Sequence, residues 1–336
     1  QMILDACAGL EWPYEAFFND AAMGRPEDER PLDALTPVVF DVSAPILEQN
    51  RAAEPVPIET IDAYFAPGGP LATQFGDHFE QRSGQIAMAA QVMTALNTGD
   101  HLLIEAGTGT GKSLAYLLPA ALWATQNGRR VVVATNTIAL QDQLIEKDLP
   151  QVAALLKQSA NVELHSAVLK GRQNYLCLRR LHAWREERKF TAPELNVLAK
   201  VLVWLTKTRT GDAGEIALLS PAEKAVWQRI CSDPATCSPE RCLADGLHFA
   251  GESLNAETAF ERLIAPRDFY LEARNRAEGA HIVVVNHALL LADIASGGRI
   301  IPEYDHLIVD ETHRLEEAAT DQLTYRVEWT YVQALL

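Results

Sequence analysis

The chain holds 336 residues, 48% of them hydrophobic and 22% charged, with a formal net charge of −16, the balance of an ordinary globular protein of one large or two modest domains. Its longest apolar stretch, Leu114 to Thr125, is short for a bilayer and carries Pro119; this excludes a membrane helix, nothing resembles a signal peptide, and a cytoplasmic chain with no membrane partner is expected. The net charge would argue against nucleic acid if it were evenly spread, but residues 1–100 hold 16 acidic and 4 basic side chains (−12), whereas Lys170 to Arg209 holds 10 basic and 3 acidic (+7).

Gln1 stands where a start methionine would, as expected of an internal piece of a longer protein. Gln1 to Phe18 reads as a short amphipathic helix, within an acidic, proline-rich linker with local structure over residues 1–70. From Gln81 the periodicity tightens. Ser83 is placed to cap a helix with Ile86, Ala90, Met93 and Leu96 on one face and Gly99 at its end. Arg82 and Gln85 open this helix just ahead of a glycine-rich loop, where an amide can both donate to and accept from the edge of adenine.

Leu102 to Ile104 is an apolar run expected as a buried strand of a parallel sheet, and Lys112 to Gln126 as the helix that follows. Between them Ala106, Gly107, Thr108, Gly109, Thr110 and Gly111 lead into Lys112 and Ser113, the pattern of a phosphate-binding loop. Small residues let successive N–H groups turn toward a polyphosphate at the positive end of the helix. Lys112 is expected to neutralise the β- and γ-phosphates of ATP, and Ser113 to offer its hydroxyl to Mg²⁺. Ala106 replaces the glycine that usually opens the pattern.

Val131 to Thr135 reads as a second buried strand, ending in the polar turn Thr135-Asn136-Thr137 before a helix at Ile138; hydroxyls and amides there suit a nucleic-acid backbone. The sheet resumes at His281 to Asn286, followed by His287 and a leucine-rich helix, and again at His306 to Val309, which leads into Asp310-Glu311-Thr312-His313. Asp310 is expected to hold Mg²⁺ and Glu311 to polarise the attacking water. The interval between Lys112 and Asp310 exceeds a few βα units, so residues 170–280 are read as an inserted module. It carries the basic stretch and Cys177, Cys231, Cys237 and Cys242, a soft-ligand set for zinc or an iron–sulfur cluster, with His248 a further candidate. The organisation is then linker 1–70, first sheet part 71–169, insert 170–280, second sheet part 281–320 and the start of another domain at 321–336.

These segments resemble the iron–sulfur superfamily 2 DNA helicases of the DinG type, related to XPD, over about Phe75 to Thr320. The match is carried by Arg82 with Gln85, by Glu105 to Ser113, by Thr135 to Gln141, by Lys170 to Cys177, by Val285 to Leu290, and by Asp310 to His313. The resemblance implies an α/β, RecA-like P-loop NTPase fold with an inserted, mainly helical module. It implies ATP hydrolysis coupled to 5′→3′ movement on single-stranded or forked DNA in repair, with Lys112, Asp310, Glu311 and His313 catalytic and a [4Fe–4S] cluster in the insert. It also implies a second helicase lobe outside this chain, and Leu4 to Phe18 resembles the linker that follows an exonuclease domain in some relatives. Two departures matter. The Asp-Glu-Thr-His stretch replaces the commoner Asp-Glu-Ala-His, and the family's fourth cluster ligand usually precedes an aromatic-x-x-Ala-Arg stretch, here Phe269 to Arg274 preceded by Asp268. Cys231, Asp268 and His248 are thus the options for that ligand. Other readings are an ATP- and DNA-binding module without turnover, or an RNA-directed or remodelling ATPase with structural zinc.

Overall fold

A computed structural model describes Leu47 and residues 52–107, 109–187, 190–238 and 267–324. Gln1 to Phe18, Thr108, Cys242 and His248 lie outside them. The described residues divide into two compact units, one within Ser43–Lys170 and Arg274–Leu336, the other within Gly171–Ala273.

The first unit runs through α1 (Glu59–Phe65), α2 (Pro70–Phe75), α3 (Ser83–Thr98), α4 (Lys112–Asn127), β1 (Val131–Thr135), α5 (Ile138–Gln143), α6 (Leu149–Ala160) and β2 (Ser166–Val168). The second unit follows with α7 (Leu178–Glu186), α8 (Ala192–Leu205) and α9 (Pro221–Ile230). The helix α10 (Phe269–Glu278) leads back to β3 (Ile282–Asn286), α11 (His287–Ala295), β4 (His306–Val309) and α12 (Leu315–Leu323). No helix among the described residues is long and apolar enough to cross a membrane.

The four strands form one parallel sheet in the order β2-β3-β1-β4. Val131 to Ala134 and Ile282 to Val285 are all fully buried, as a sheet covered on both faces requires. Alternate residues serve opposite faces. Val131, Val133, Ile282 and Val284 join one core with Ile61 and Phe65 of α1, Met93 of α3, Leu117 and Leu118 of α4, and Leu155 and Leu156 of α6. Each such side chain contributes on the order of 1.5–3 kcal/mol through burial. Pro119 sits inside α4 without ending it, in a helix whose neighbours are buried all round.

Two local expectations change. Leu102 to Ile104 is not a strand: it runs outside the sheet, with Leu103 88% exposed, and β4 pairs with β1 alone among the described residues. An apolar run by itself does not say which edge it will meet. Ser83 is the first residue of α3 rather than its cap; Arg82 holds the cap position with no side-chain cap, and the buried face is Gln85, Ala89, Val92, Met93 and Leu96. Before α1 the chain is anchored: Asn97 brackets Val56 through Val56 N–H to Oδ1 (2.8 Å) and Nδ2 to Val56 O (2.8 Å), while buried Asn127 does the same for Glu54 (2.7 and 3.1 Å). A side-chain amide on each side replaces the partners a strand would supply.

The second unit builds its own core from Leu181 of α7, Leu195, Leu198 and Val201 of α8, and Trp227 and Ile230 of α9. Capping boxes start α8 (Thr191 with Glu194) and α9 (Ser220 with Glu223). Glu223 is buried yet stays ionised: Lys200 Nζ at 2.5 Å and two backbone N–H groups hold its carboxyl below the usual range.

Candidate active site

The glycine-rich loop passes from extended chain into α4 through two left-handed residues, Gly109 (φ 79°) and Gly111 (φ 76°). A side chain at either would be strained. At Gly111 a Cβ would also overlap the amide of Gln85. Gln85, buried, donates from Nε2 to Gly111 O at 2.9 Å, and Arg82 Nη1 donates to Gly109 O at 2.7 Å while pairing with Glu80. Both side chains therefore brace the loop through its carbonyls. Thr110 Oγ1 closes the turn on Gly107 O at 2.9 Å.

Lys112 and Ser113 open α4, and the Asp-Glu pair reaches them from the end of β4. Lys112 Nζ lies 3.6 Å from Glu311 Oε1, and His313 Nε2 lies 3.5 Å from Glu311 Oε2. Glu311 has φ 53°, an uncommon conformation for a residue with a side chain, and such strain gathers at working sites. Asp310 is held from every side. Its N–H donates to Ala134 O (2.8 Å), its Oδ1 accepts from Glu311 N–H (2.9 Å), and its Oδ2 accepts from Tyr116 Oη (3.1 Å). His287 supplies the fourth contact, Nε2 to Asp310 O at 2.9 Å. A carbonyl oxygen only accepts, so Nε2 carries the proton. Burial disfavours the charged ring, and the imidazole is neutral, with Nδ1 buried and without a partner among the described residues.

Tyr116 and His287 were not singled out by sequence reasoning as site residues. The available signal for Tyr116 is its place one turn after Ser113 on α4, and for His287 its place directly after a strand of the same sheet edge. The turn after β1 is less open than its polarity implies: Thr135 is fully buried and Thr137 caps α5 by accepting from Leu140 N–H. Only Asn136 and Thr137 of the three reach the surface. Lys170, the first residue of the basic stretch, is buried and paired with Asp142 at 3.1 Å.

In the second unit Cys177, Cys231 and Cys237 are buried. Cys177 Sγ lies 3.5 Å from Cys237 Sγ, and Leu176 pairs with Cys231 across a β-bridge. The hydrogen bond shared with Cys177, together with Asp233 N–H at 3.4 Å, holds the Cys237 thiol well below its ordinary range, whereas burial pushes Cys231 up. Asp268 accepts from Leu271 N–H through Oδ1, and its Oδ2 is buried without a partner among the described residues. Among the described residues no group of three or more His, Cys, Asp or Glu side chains is arranged to hold a metal ion. The chemistry of the donor set nevertheless fits a thiolate-bound group, since soft metals and clusters take deprotonated sulfur.

Arg172, Arg179 and Arg180 of the basic stretch brace this cysteine loop. Arg172 donates to Cys237 O (3.3 Å) and stacks on Tyr270 at 4.2 Å; Arg179 donates to Thr236 O (2.6 Å); Arg180 reaches Gln228 O and Arg229 O, both at 2.9 Å, and Asp233. Uncapped carbonyls near a helix end recruit guanidinium groups for the same reason a phosphate would.

Residues 85–185 match the DEAD/DEAH box helicase family. The chain is 34% identical over 273 residues to the 3′-5′ exonuclease DinG of Bacillus subtilis, covering 81% of this chain and 26% of that protein. It is 36% identical over 254 residues to the ATP-dependent helicase DinG of Mycobacterium tuberculosis (71% and 35%), and 36% identical over 265 residues to the ATP-dependent DNA helicase YoaA of Escherichia coli (76% and 36%). The chain thus spans about a quarter to about a third of the length of these relatives.

Proposed function

Because this chain is a DinG-like superfamily 2 helicase region, we propose that it is the ATP-binding lobe of an ATP-dependent DNA helicase whose hydrolysis drives 5′→3′ movement on single-stranded DNA. The observation that carries the reading is the meeting of the phosphate loop with the Asp-Glu pair: Lys112 faces Glu311, and Tyr116 reaches Asp310 across 194 positions of chain.

In this reading the loop N–H groups and Lys112 bind the β- and γ-phosphates, and Arg82 and Gln85 fix the loop that presents them. Without nucleotide, Lys112 and Glu311 neutralise each other. A phosphate offers Lys112 a more highly charged partner and leaves Glu311 Oε1 to take a proton from the attacking water, while His313 steadies Oε2. Ser113 and Asp310 are the residues that would hold Mg²⁺, which when bound neutralises phosphate charge. Their fit to the ion rests on Tyr116, one turn after Ser113 on α4, which donates to Asp310 Oδ2 at 3.1 Å.

The second unit would hold a [4Fe–4S] cluster on Cys177, Cys231, Cys237 and Cys242, with Asp268 or His248 the substitutes for one thiolate. The approach of the buried Cys177 and Cys237 sulfurs to 3.5 Å supports this. Single-stranded or forked DNA is the proposed partner, together with a second helicase lobe, and a linked exonuclease is a further proposal from the Bacillus relative's name. Hydrolysis of ATP by the full-length protein, measured with single-stranded DNA, with RNA and without nucleic acid, tests the reading alongside metal analysis. DNA-dependent turnover that weakens with salt, and iron with sulfide bound, are expected. Equal stimulation by RNA, with zinc in place of iron, would overturn the DNA and cluster parts together.

A further inference from the structure

We propose that Tyr116 is a positioning residue of the magnesium site: its hydroxyl ties Asp310 to the first turns of α4, so that the carboxylate and the Ser113 hydroxyl are aimed at one point before nucleotide arrives. This rests on the reading of the site given above.

Tyr116 is 3% exposed, so its hydroxyl has no bulk water to bond and must find protein partners. It finds one in Asp310, donating to Oδ2 at 3.1 Å, and it stands one turn after Ser113 on the same helix face. Asp310 and Ser113 are the two side chains assigned to the ion, and the phenol links the helix that carries one to the carboxylate of the other. The other handles on Asp310 leave this role open: Ala134 and His287 fix its backbone, and Glu311 N–H takes Oδ1. Oδ2 alone would be free to swing. A donor at that oxygen restricts the carboxylate rotamer and leaves a second lone pair for the ion or its water.

Tyr116→Phe keeps the ring and removes the hydroxyl. The test is Mn²⁺ binding to the chain followed by electron paramagnetic resonance in the presence of ADP, beside ADP binding measured in EDTA. Expected is a loss of Mn²⁺ affinity of about tenfold, the size seen when an outer-shell partner of a metal ligand is removed, with metal-independent ADP binding unchanged. Unchanged Mn²⁺ affinity would overturn the assignment. An equal loss of ADP binding in EDTA would overturn it as well, since the ring would then matter for packing alone. If the parent chain gained no Mn²⁺ affinity from ADP, the reading of the site itself would fall, and the role of Tyr116 with it.

Discussion

Lys112 Nζ stands 3.6 Å from Glu311 Oε1, with both side chains 31% exposed, so the cation of the phosphate loop and the carboxylate after β4 form one partly solvated pair. At this exposure the pair adds little stability. Its consequence is chemical, because each group masks the other until an anion competes for the lysine.

Glu311→Gln should therefore lower ATP hydrolysis by the full-length protein by about 10²-fold or more while ATP still binds, since a lost general base costs on that order. Lys112→Ala should remove binding and turnover together. Steady-state hydrolysis read beside equilibrium nucleotide binding separates the two. Parent-rate hydrolysis by Glu311→Gln would rule out its assignment as the base.

Gly111 meets two constraints at once, a φ of 76° and the amide of Gln85 where a Cβ would stand. Gly111→Ala should abolish nucleotide binding and cost the chain about 1 kcal/mol or more. Adding Gln85→Ala relieves the overlap but not the backbone strain, so the double variant should recover only part of the stability. Full recovery in a denaturant titration would show that φ at this position carries no cost.

His281 stands directly before β3 with its Nδ1 accepting from His165 N–H at 3.1 Å and its ring stacked on His165 at 5.4 Å. Burial, then His165 and Arg130, bring it from 6.5 down to about 4. The folded state thus refuses a proton that the unfolded state accepts, and stability falls as pH drops from about 6.5 toward about 4. The loss near pH 5 should be on the order of 1 to 2 kcal/mol. His287 and His306, lowered in the same direction, add to it. Denaturant midpoints near neutrality and near pH 5 should converge in His281→Asn relative to the parent. An identical acid loss in both proteins would exclude His281 as the source.

The sequence alone determined the elements whose signals are local. The glycines before Lys112 mark a turn because positive φ is nearly closed to other residues, and the runs Val131 to Ala134 and Ile282 to Val285 are strands because both faces of a parallel sheet must be apolar. Asp310 and Glu311 were legible for the same reason, as polar residues ending such a run. What needed the tertiary structure depends on which surfaces meet. Leu102 to Ile104 has the composition of a strand but no partner among the described residues. Arg172, Arg179 and Arg180 have the charge for a phosphate, yet the carbonyls of the cysteine loop lie within their reach. Tyr116 has the pattern of an ordinary core residue, and only the pairing of β1 with β4 brings Asp310 to its hydroxyl. Periodicity fixes which face of an element is buried; the partner across that face is set by chain closure over long separations, on which local composition has no bearing.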